Sequence, residues 1–364
     1  MFTRTSWLLL CLLLAVWIAA GCGNAGKNTG GGSGGTASQP NTAESSDEEE
    51  AQVSGEFINA YTASADMQAL PSLMTWKRLA EEGNLIIEAQ HMSATEQAVQ
   101  AVATGQAAFS GATTISVLQA IRQGAPLKIF AAYTGNPNIL VVRSEYQNPE
   151  DLEGKRFAVH SPQSFNAALV HWAIDHLGIQ NPQILIVPNS DVRASAMLNG
   201  EIDAAAIEIN DWARLQLEKP GEFSVLVNYA EEVPGLTGQY YFASEKFLQE
   251  NRAVIKTIVK EYLLTIRSII DDPSVGVEGA LQVLPDLTFD RPFLEKIVPE
   301  FLAIDEWLPN GGMDEETVKN TLRFNQETNT LPPDADLDQI YRDYFDPSIV
   351  QEVLGEIGVY EGKK

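Results

Sequence analysis

Few side chains in this sequence have the types and spacing that catalysis needs. Two glycine patterns, G-x-G-x-x-G at residues 21–26 and G-x-S-x-G at residues 31–35, lack the flanking strand and helix that a dinucleotide site or a nucleophile elbow requires. His171 and Asp175 share a helix face, but a zinc site needs further ligands and no H-E-x-x-H motif is present. The sequence therefore predicts no enzyme, no metal site and no cofactor.

Polar and aromatic residues that follow predicted strands could instead bind a small solute. In open α/β sheets, ligands lie beyond the carboxyl ends of the strands. Free backbone N–H groups at a helix start can hold an anion there, although Ser, Thr and Asn at such positions also serve as plain N-caps. The residues that we predict to contact the solute are Asp66, Ser110, Thr113, Thr114, Tyr133, Ser164, Phe165, Asn166, Glu208, Asn210, Trp212 and Tyr240.

The charges and rings of these loops indicate which solute they would bind. The loops contain acidic residues and no Lys or Arg, and the adjoining His160 is the one group that could become a cation. A bare inorganic anion is therefore disfavoured. Because aromatic rings stack on flat heterocycles, the loops favour a neutral heteroaromatic solute, with an organosulfonate as the next choice. The alternative that these rings are core packing stays open.

Strands and helices alternate from residue 53 onwards and must position these loops. Predicted strands at 57–63, 85–91, 107–110 and 127–133 are separated by predicted helices, and a second run follows from 139 to 228. Such a βαβ rhythm predicts mostly parallel sheets with helices on both faces. Turn-rich crossings at 133–138 and 232–238 divide the pattern into two lobes, and the sequence after 243 is mostly helical.

The first 52 residues predict a targeting signal followed by a flexible tether. Arg4 precedes an apolar run at 8–18, and small residues then stand directly before Cys22, which resembles a bacterial lipoprotein box. That resemblance implies cleavage before Cys22 and acylation of this cysteine, which would hold the protein on the outer face of a membrane without a spanning helix. The alternatives are an uncleaved anchor and an ordinary signal peptide. Residues 23–52 are rich in Gly, Ser and acidic residues and predict a flexible tether.

Composition excludes several classes of protein. The chain has 364 residues, 24 Lys and Arg against 49 Asp and Glu, and a formal net charge of −25. This balance argues against nucleic-acid binding, which needs a basic surface. Cys11 and Cys22 both precede residue 53, so the folded part has no cysteine for a thiol nucleophile, a zinc–thiolate site or a disulfide.

Four segments resemble a known family in their order and spacing. Residues 151–159 (DLEGKRFAV) resemble the start of the second lobe of the periplasmic substrate-binding proteins for nitrate, sulfonates, taurine and thiamine-pyrimidine precursors. Residues 80–88, 124–128 and 200–205 are similar to further steps of that family. The resemblance spans roughly residues 55–325. It implies a type II periplasmic-binding-protein fold, with two α/β lobes, a ligand cleft between them and a helical C-terminal region.

The same resemblance implies a function and a domain plan. We expect a lipid-anchored, extracytoplasmic and monomeric receptor that delivers a solute to the permease and ATPase of an ABC importer. The solute expected first is a thiamine pyrimidine precursor or a riboflavin-like vitamin, and the alternatives are an organosulfonate, taurine or nitrate. A ligand-sensing lipoprotein that reports to a membrane signalling partner is a further alternative. The expected segments are a signal peptide (1–21), the tether (22–52), lobe 1 (53–137), lobe 2 (138–232) and a return to lobe 1 with C-terminal helices (233–364).

Overall fold

The computed structural model describes residues 53–61, 67–82, 85–92, 94–162, 164–284 and 289–362. Cys22 and Asp66 lie outside these ranges. Within the described residues the strands are β1 (Gly55–Tyr61), β2 (Leu85–His91), β3 (Phe109–Thr113), β4 (Leu127–Thr134), β5 (Asn138–Arg143), β6 (Arg156–Val159), β7 (Gln183–Ile186), β8 (Ala204–Glu208), β9 (Phe223–Asn228) and β10 (Gln239–Ser244).

The helices lie mostly between these strands and then fill the C-terminal third of the chain. They are α1 (Leu70–Glu81), α2 (Thr95–Ala103), α3 (Thr114–Arg122), α4 (Phe165–Leu177), α5 (Ser190–Leu198), α6 (Ile209–Glu218), α7 (Tyr229–Glu232), α8 (Glu245–Glu250), α9 (Arg252–Asp271), α10 (Pro273–Val283), α11 (Arg291–Ala303), α12 (Glu315–Glu327), α13 (Leu337–Tyr344) and α14 (Ser348–Ile357). Short 3-10 turns lie at Met67–Ala69 and Pro149–Leu152.

The strands form two five-stranded sheets of matching topology. The first has the order β2-β1-β3-β10-β4 and the second the order β7-β6-β8-β5-β9. In each sheet four strands run the same way, while β10 or β5 runs against its two neighbours. The central strands are buried along their length because helices cover both faces. This architecture confirms the predicted α/β class with C-terminal helices.

The chain crosses between the sheets twice at their carboxyl edges. Thr134 ends β4 and Asn138 begins β5, so only residues 135–137 separate the two sheets there. The return crossing runs from α7 to the start of β10 at Gln239. Because β5 and β10 are the reversed strands, both begin at the edge where the other strands of their sheets end. The carboxyl edges of the two sheets are therefore joined by a link that can span at most about 14 Å.

Glycine is required where the two crossings touch. The Gly238 N–H donates to Gly135 O (2.8 Å), and a Cβ added to Gly238 would lie 2.3 Å from that same oxygen. A Cβ on Gly135 would lie 2.1 Å from Asp305 O, and the Gly135 N–H donates to Glu306 O (2.7 Å). Both crossings and the segment after α11 thus pack backbone against backbone.

The C-terminal helices contribute to cores on both sides of these crossings. Val318 and Leu322 of α12 belong to the large cluster that includes the first sheet, whereas Phe324 belongs to the cluster on one face of the second sheet. Helix α11 packs against α6 of the second lobe. The C-terminal region is therefore in contact with both lobes.

We expect Gly238→Ala to destabilise the protein, because its methyl group would overlap Gly135 O and neither backbone can yield cheaply. Overpacking of this kind costs about 1–3 kcal/mol. Gly355 in α14 has open space around its Cβ position, so the matched change Gly355→Ala should instead stabilise by up to about 1 kcal/mol. Urea unfolding of both variants measures the two free energies, and a loss of stability in Gly355→Ala equal to that in Gly238→Ala would contradict the contact argument.

Candidate functional site

A network of buried amides joins the first crossing to the second lobe. Asn136 Oδ1 accepts hydrogen bonds from the backbone and side-chain N–H groups of Asn138 (both 3.2 Å). Asn166, in the first turn of α4, donates to Ala206 O (2.8 Å) and to Asn138 Oδ1 (3.5 Å), and its own Oδ1 accepts from the His160 N–H (3.1 Å). These three buried side chains fix the ends of β6 and β8 relative to the crossing.

On the other flank of the second lobe, α5 supports the loop between β8 and α6. Ser190 Oγ accepts from the Glu208 N–H (2.8 Å). The Arg193 guanidinium donates to Ala206 O (3.0 Å) and to Val187 O (3.2 Å), and the whole residue is only 3% exposed. Arg193 therefore brings a buried positive charge next to Glu208 and Asp211.

The same charge affects the titration of its neighbours. Burial lowers the pKa of His160, and the positive charge of Arg193 lowers it further. His160 Nδ1 accepts from the Asn189 N–H (3.1 Å), which also requires an unprotonated nitrogen. Burial raises the pKa of Asp211, while a hydrogen bond with Ser190 and the charges of Arg214 and Arg193 oppose that rise. At neutral pH Arg193 is thus a fixed cation at this edge, whereas His160 is neutral.

Several buried polar atoms at these edges have no hydrogen-bond partner within the described part of the chain. They are Thr114 Oγ1 after β3, Thr134 Oγ1 at the end of β4, Asn136 Nδ2 in the crossing and Asn210 Oδ1 after β8. A buried polar group without a partner costs about 1–3 kcal/mol, so groups of this kind are normally satisfied by water or by a ligand. Their places in the fold all lie at the carboxyl edges of the two sheets.

The predicted hydroxyl contacts fall into two groups. Ser164 caps α4, because its Oγ accepts from the Ala167 N–H (3.1 Å). Thr113 directs its hydroxyl to Ser116 Oγ (2.9 Å) and does not cap α3. Ser110 and Thr114 are both buried, 0% and 3% exposed. Thr114 directly follows the end of β3, whereas Ser110 is the second residue of that strand and does not lie in a loop after it, as the sequence had predicted. Capping of α4 thus explains the Ser164 hydroxyl without a solute. The buried Thr114 hydroxyl has no hydrogen-bond partner within the described residues.

The predicted aromatic contacts are mostly packed against other rings. Tyr240 is fully buried and lies edge-on to Phe345 (5.5 Å between ring centroids), so it offers no face to a solute in this conformation. Tyr133 leans on Tyr241 (4.8 Å), and Phe165 meets Phe324 edge-on (5.9 Å). Trp212 is half-buried against the large cluster. Stacking on a heterocycle therefore finds less support here than the sequence indicated.

The structure also brings in residues that the sequence analysis missed. Arg193, Ser190, Asn136 and Asn138 lie at the edges together with the predicted Glu208, Asn210 and Asn166. Gln239 donates to Gln68 Oε1 (3.4 Å) beside the start of β10. The sequence contained one signal for Arg193. Ser190, Arg193 and Met197 follow helical spacing on one face, so Arg193 stands between a small residue and an apolar one. An arginine on a buried stripe indicates a positioned charge.

The comparison with known families identifies the chain. The profile of the family described as NMT1/THI5 like matches residues 80–275, which is more than half of the sequence. The chain belongs to the NMT1/THI5-like family. This confirms the resemblance that segments such as residues 151–159 indicated.

Relatives of this NMT1/THI5-like chain are binding proteins. It is 26% identical over 212 residues to the taurine-binding periplasmic protein of Escherichia coli (strain K12), an alignment that covers 55% of this chain and 62% of that relative. The chain thus matches less than two thirds of the relative's length. The name of that relative describes a binding protein, in agreement with the prediction that this chain is no enzyme.

Solved structures show the same fold at low identity. The periplasmic nitrate-binding protein of Synechocystis PCC 6803 has a TM-score of 0.65 at 12% identity, covering 84% of this chain and 90% of that one. The periplasmic aliphatic sulphonate-binding protein of Escherichia coli has a TM-score of 0.61 at 16% identity, covering 85% and 94%. At such identities the likeness concerns the fold alone, and it confirms the predicted two-lobed periplasmic-binding-protein architecture.

Two further findings concern the described residues only. None of their helices has the length and apolar character needed to cross a membrane. No three or more of their His, Cys, Asp and Glu side chains are grouped so that they could hold a metal ion.

We expect Arg193→Met to raise the pKa of His160, because it removes a positive charge that opposes protonation of the imidazole. NMR titration of the His160 ring measures this directly. Arg193→Lys keeps the charge and should leave the pKa of His160 lowered, and Arg214→Met should do the same because Arg214 does not contribute to that shift. An unchanged titration in Arg193→Met would mean that burial alone sets the pKa of His160.

Proposed function

We propose that the chain is the solute-binding component of an ABC importer and that it holds its solute between the carboxyl edges of the two sheets. The buried donors and acceptors at these edges support the proposal, since Thr114, Thr134, Asn136 and Asn210 have polar atoms that a solute could satisfy. Two lobes joined at these edges can close around a solute, and a ligand that contacts both lobes shifts the population towards the closed state.

Three of the helices that start at these edges, α3, α4 and α6, carry predicted solute contacts in their first turns, and they differ in what they offer an anion. Helix α4 is capped by Ser164, and α6 starts after Glu208 with Asp211 in its first turn, so both are poor sites for negative charge. Helix α3 has no acidic residue in its first turn and no side-chain cap in the described structure, and Thr114 lies there with a buried, unpartnered hydroxyl. This favours the α3 start as the site of an anionic group of the solute.

These observations change the order of preference among the candidate solutes. The sequence argument against anions assumed that His160 was the one cationic group, whereas Arg193 also lies at the second-lobe edge. Packing of Tyr240 and Tyr133 against other rings weakens the case for a neutral heteroaromatic. The family membership and the taurine-binding relative support a small sulfonate, of which taurine is the first candidate. A thiamine pyrimidine precursor or a riboflavin-like vitamin is the second candidate, because Trp212 is still partly exposed.

The remaining parts of the proposal concern the location of the protein, its partners and its lobe boundaries. Its place outside the cytoplasm, held to a membrane by lipid on Cys22 with residues 23–52 as a tether, is supported by the lipoprotein-like sequence before Cys22. The permease and the ATPase of the importer would be its partners. Lobe boundaries near residues 137 and 232 are supported by the positions of the two crossings.

We expect taurine or an alkanesulfonate to raise the melting temperature of the protein. A ligand at about 100 times its Kd adds roughly 2.7 kcal/mol, which corresponds to a shift of a few degrees in a protein of this size. Calorimetry with taurine, methanesulfonate, nitrate, a hydroxymethylpyrimidine and riboflavin separates the candidates. A shift with a heterocycle alone would reverse the preference argued above, and the absence of any shift would contradict solute binding of either class.

We also expect Thr114→Val to weaken sulfonate binding by about tenfold or more, because a hydrogen bond to a charged group contributes about 1.5–3 kcal/mol. Titration calorimetry of the variant with taurine or methanesulfonate measures the loss. Thr104→Val is the matched control, since Thr104 ends α2 and its hydroxyl donates to Gln100 O (2.8 Å), away from the sheet edges. Equal affinities of the two variants would rule out the α3 start as the anion site.

A further inference from the structure

Phe324 links the C-terminal helices to the core of the second lobe. The cluster on one face of the second sheet is built from residues between 140 and 236, and among its described members Phe324 alone comes from outside that range. Its side chain is 2% exposed. Neighbouring turns of the same helix, at Val318 and Leu322, are buried in the large cluster, which includes the first sheet and one face of the second. Helix α12 also packs against α13, which packs against β4 of the first lobe. Helix α12 therefore has its side chains divided between two lobes.

Phe324 contacts the solute site through one residue. Its ring packs edge-on against Phe165 (5.9 Å), which is the first residue of α4. Phe165 is preceded by the cap Ser164 and followed by Asn166, whose amide holds the ends of β6 and β8. A shift of Phe165 would therefore be transmitted to the second-lobe edge of the site.

Phe165 and Phe324 form an aromatic contact between the start of α4 and α12. Further along, the two helices are separated by a groove of about 380 Å³ lined by His171, Trp172, Asp175 and His176 of α4 and by residues 327–329 at the end of α12. On the opposite flank of the second lobe, α11 packs against α6.

From these contacts we propose that the arrangement of the lobes described here is the closed one, and that Phe324 is a positioning residue of the solute site, which stabilises this arrangement by inserting into the second-lobe core. It does not touch the solute itself. When the lobes open, either Phe324 leaves the cluster and exposes apolar surface, or α12 separates from the first lobe. Both changes oppose opening, so Phe324 increases the closed fraction before any solute binds. The inference rests on the proposed function, because it takes the space between the sheet edges as the solute site.

The test measures the distance between the lobes without solute. Both cysteines of the chain lie before residue 53, so full-length protein with Cys11→Ser and Cys22→Ser accepts a pair of spin labels at Gln123→Cys in the first lobe and Glu201→Cys in the second, both exposed positions. We expect Phe324→Leu to shift the distance distribution towards longer, open separations. Phe165→Leu removes the partner ring from the other side and should give the same shift.

Phe157→Leu is the matched control, because Phe157 is buried in the same cluster but belongs to β6 within the second lobe. A purely structural role for Phe324 predicts that both leucine variants lower the melting temperature and that neither changes the lobe distance. That result, or an equal shift in the control, would overturn the proposal. Since no solute is present, failure of taurine or any other compound to bind leaves this measurement unaffected, and an unchanged distance leaves the proposed function untouched.

Discussion

The close approach of three backbone segments at the crossings is the constraint on which the rest of the structure depends. Gly135, Gly238 and the carbonyl of Asp305 lie so near one another that a single methyl group would not fit at either glycine. Because the link between Thr134 and Asn138 is three residues long, this packing holds the carboxyl edges of both sheets side by side. The site follows from that geometry, since every strand end that carries a predicted contact lies along one of these edges.

Burial of polar groups is the second consequence of this packing. Amides and hydroxyls at the crossings are removed from water on both sides, and each must find a partner or weaken the fold. Asn138 and Asn166 satisfy most of their capacity within the chain, whereas Thr114, Thr134 and Asn136 do not. A region that positions donors rigidly and leaves some of them unused is suited to recognition, because a solute there gains hydrogen bonds without ordering new side chains.

The sequence predicted the alternating elements and the two crossings because those depend on local patterns. The strand at 85–91 and the helix around 253–270 agree closely with β2 and α9. Strand ends were predicted less evenly. Glu208 ends β8 and Asn166 follows β6 as expected, whereas the strand predicted at 107–110 is β3 at Phe109–Thr113, so Ser110 lies inside it. The surroundings of each side chain were harder to predict from the sequence. Tyr240 lies in a strand with a neighbour on each side and helices over both faces, so no alternation of polar and apolar residues distinguishes a ring in the core from a ring in a cleft.

Arg193 shows why the charge of a site is harder to predict than its position. The sequence argument counted charges in the loops that follow strands, yet Arg193 lies within α5 and reaches Ala206 O from the side. Long side chains carry their charge several ångströms from their backbone, so a list of loop residues omits cations that enter from a neighbouring helix. The prediction of a neutral solute depended on that omission.

Under the proposed function, the C-terminal helices alter how the two lobes and the solute share the free energy of closure. With two crossings alone, the solute would have to supply the whole free energy of closure, and its apparent affinity would be its intrinsic affinity multiplied by the fraction of protein that is closed beforehand. On the closure proposed above, contacts of α11 with α6 and of Phe324 with Phe165 supply part of that energy from within the chain. Such a receptor binds more tightly for a given set of solute contacts, but its release of solute then requires more work from the partner that opens it. The helices that lie beyond the two lobes in sequence are therefore part of the binding equilibrium.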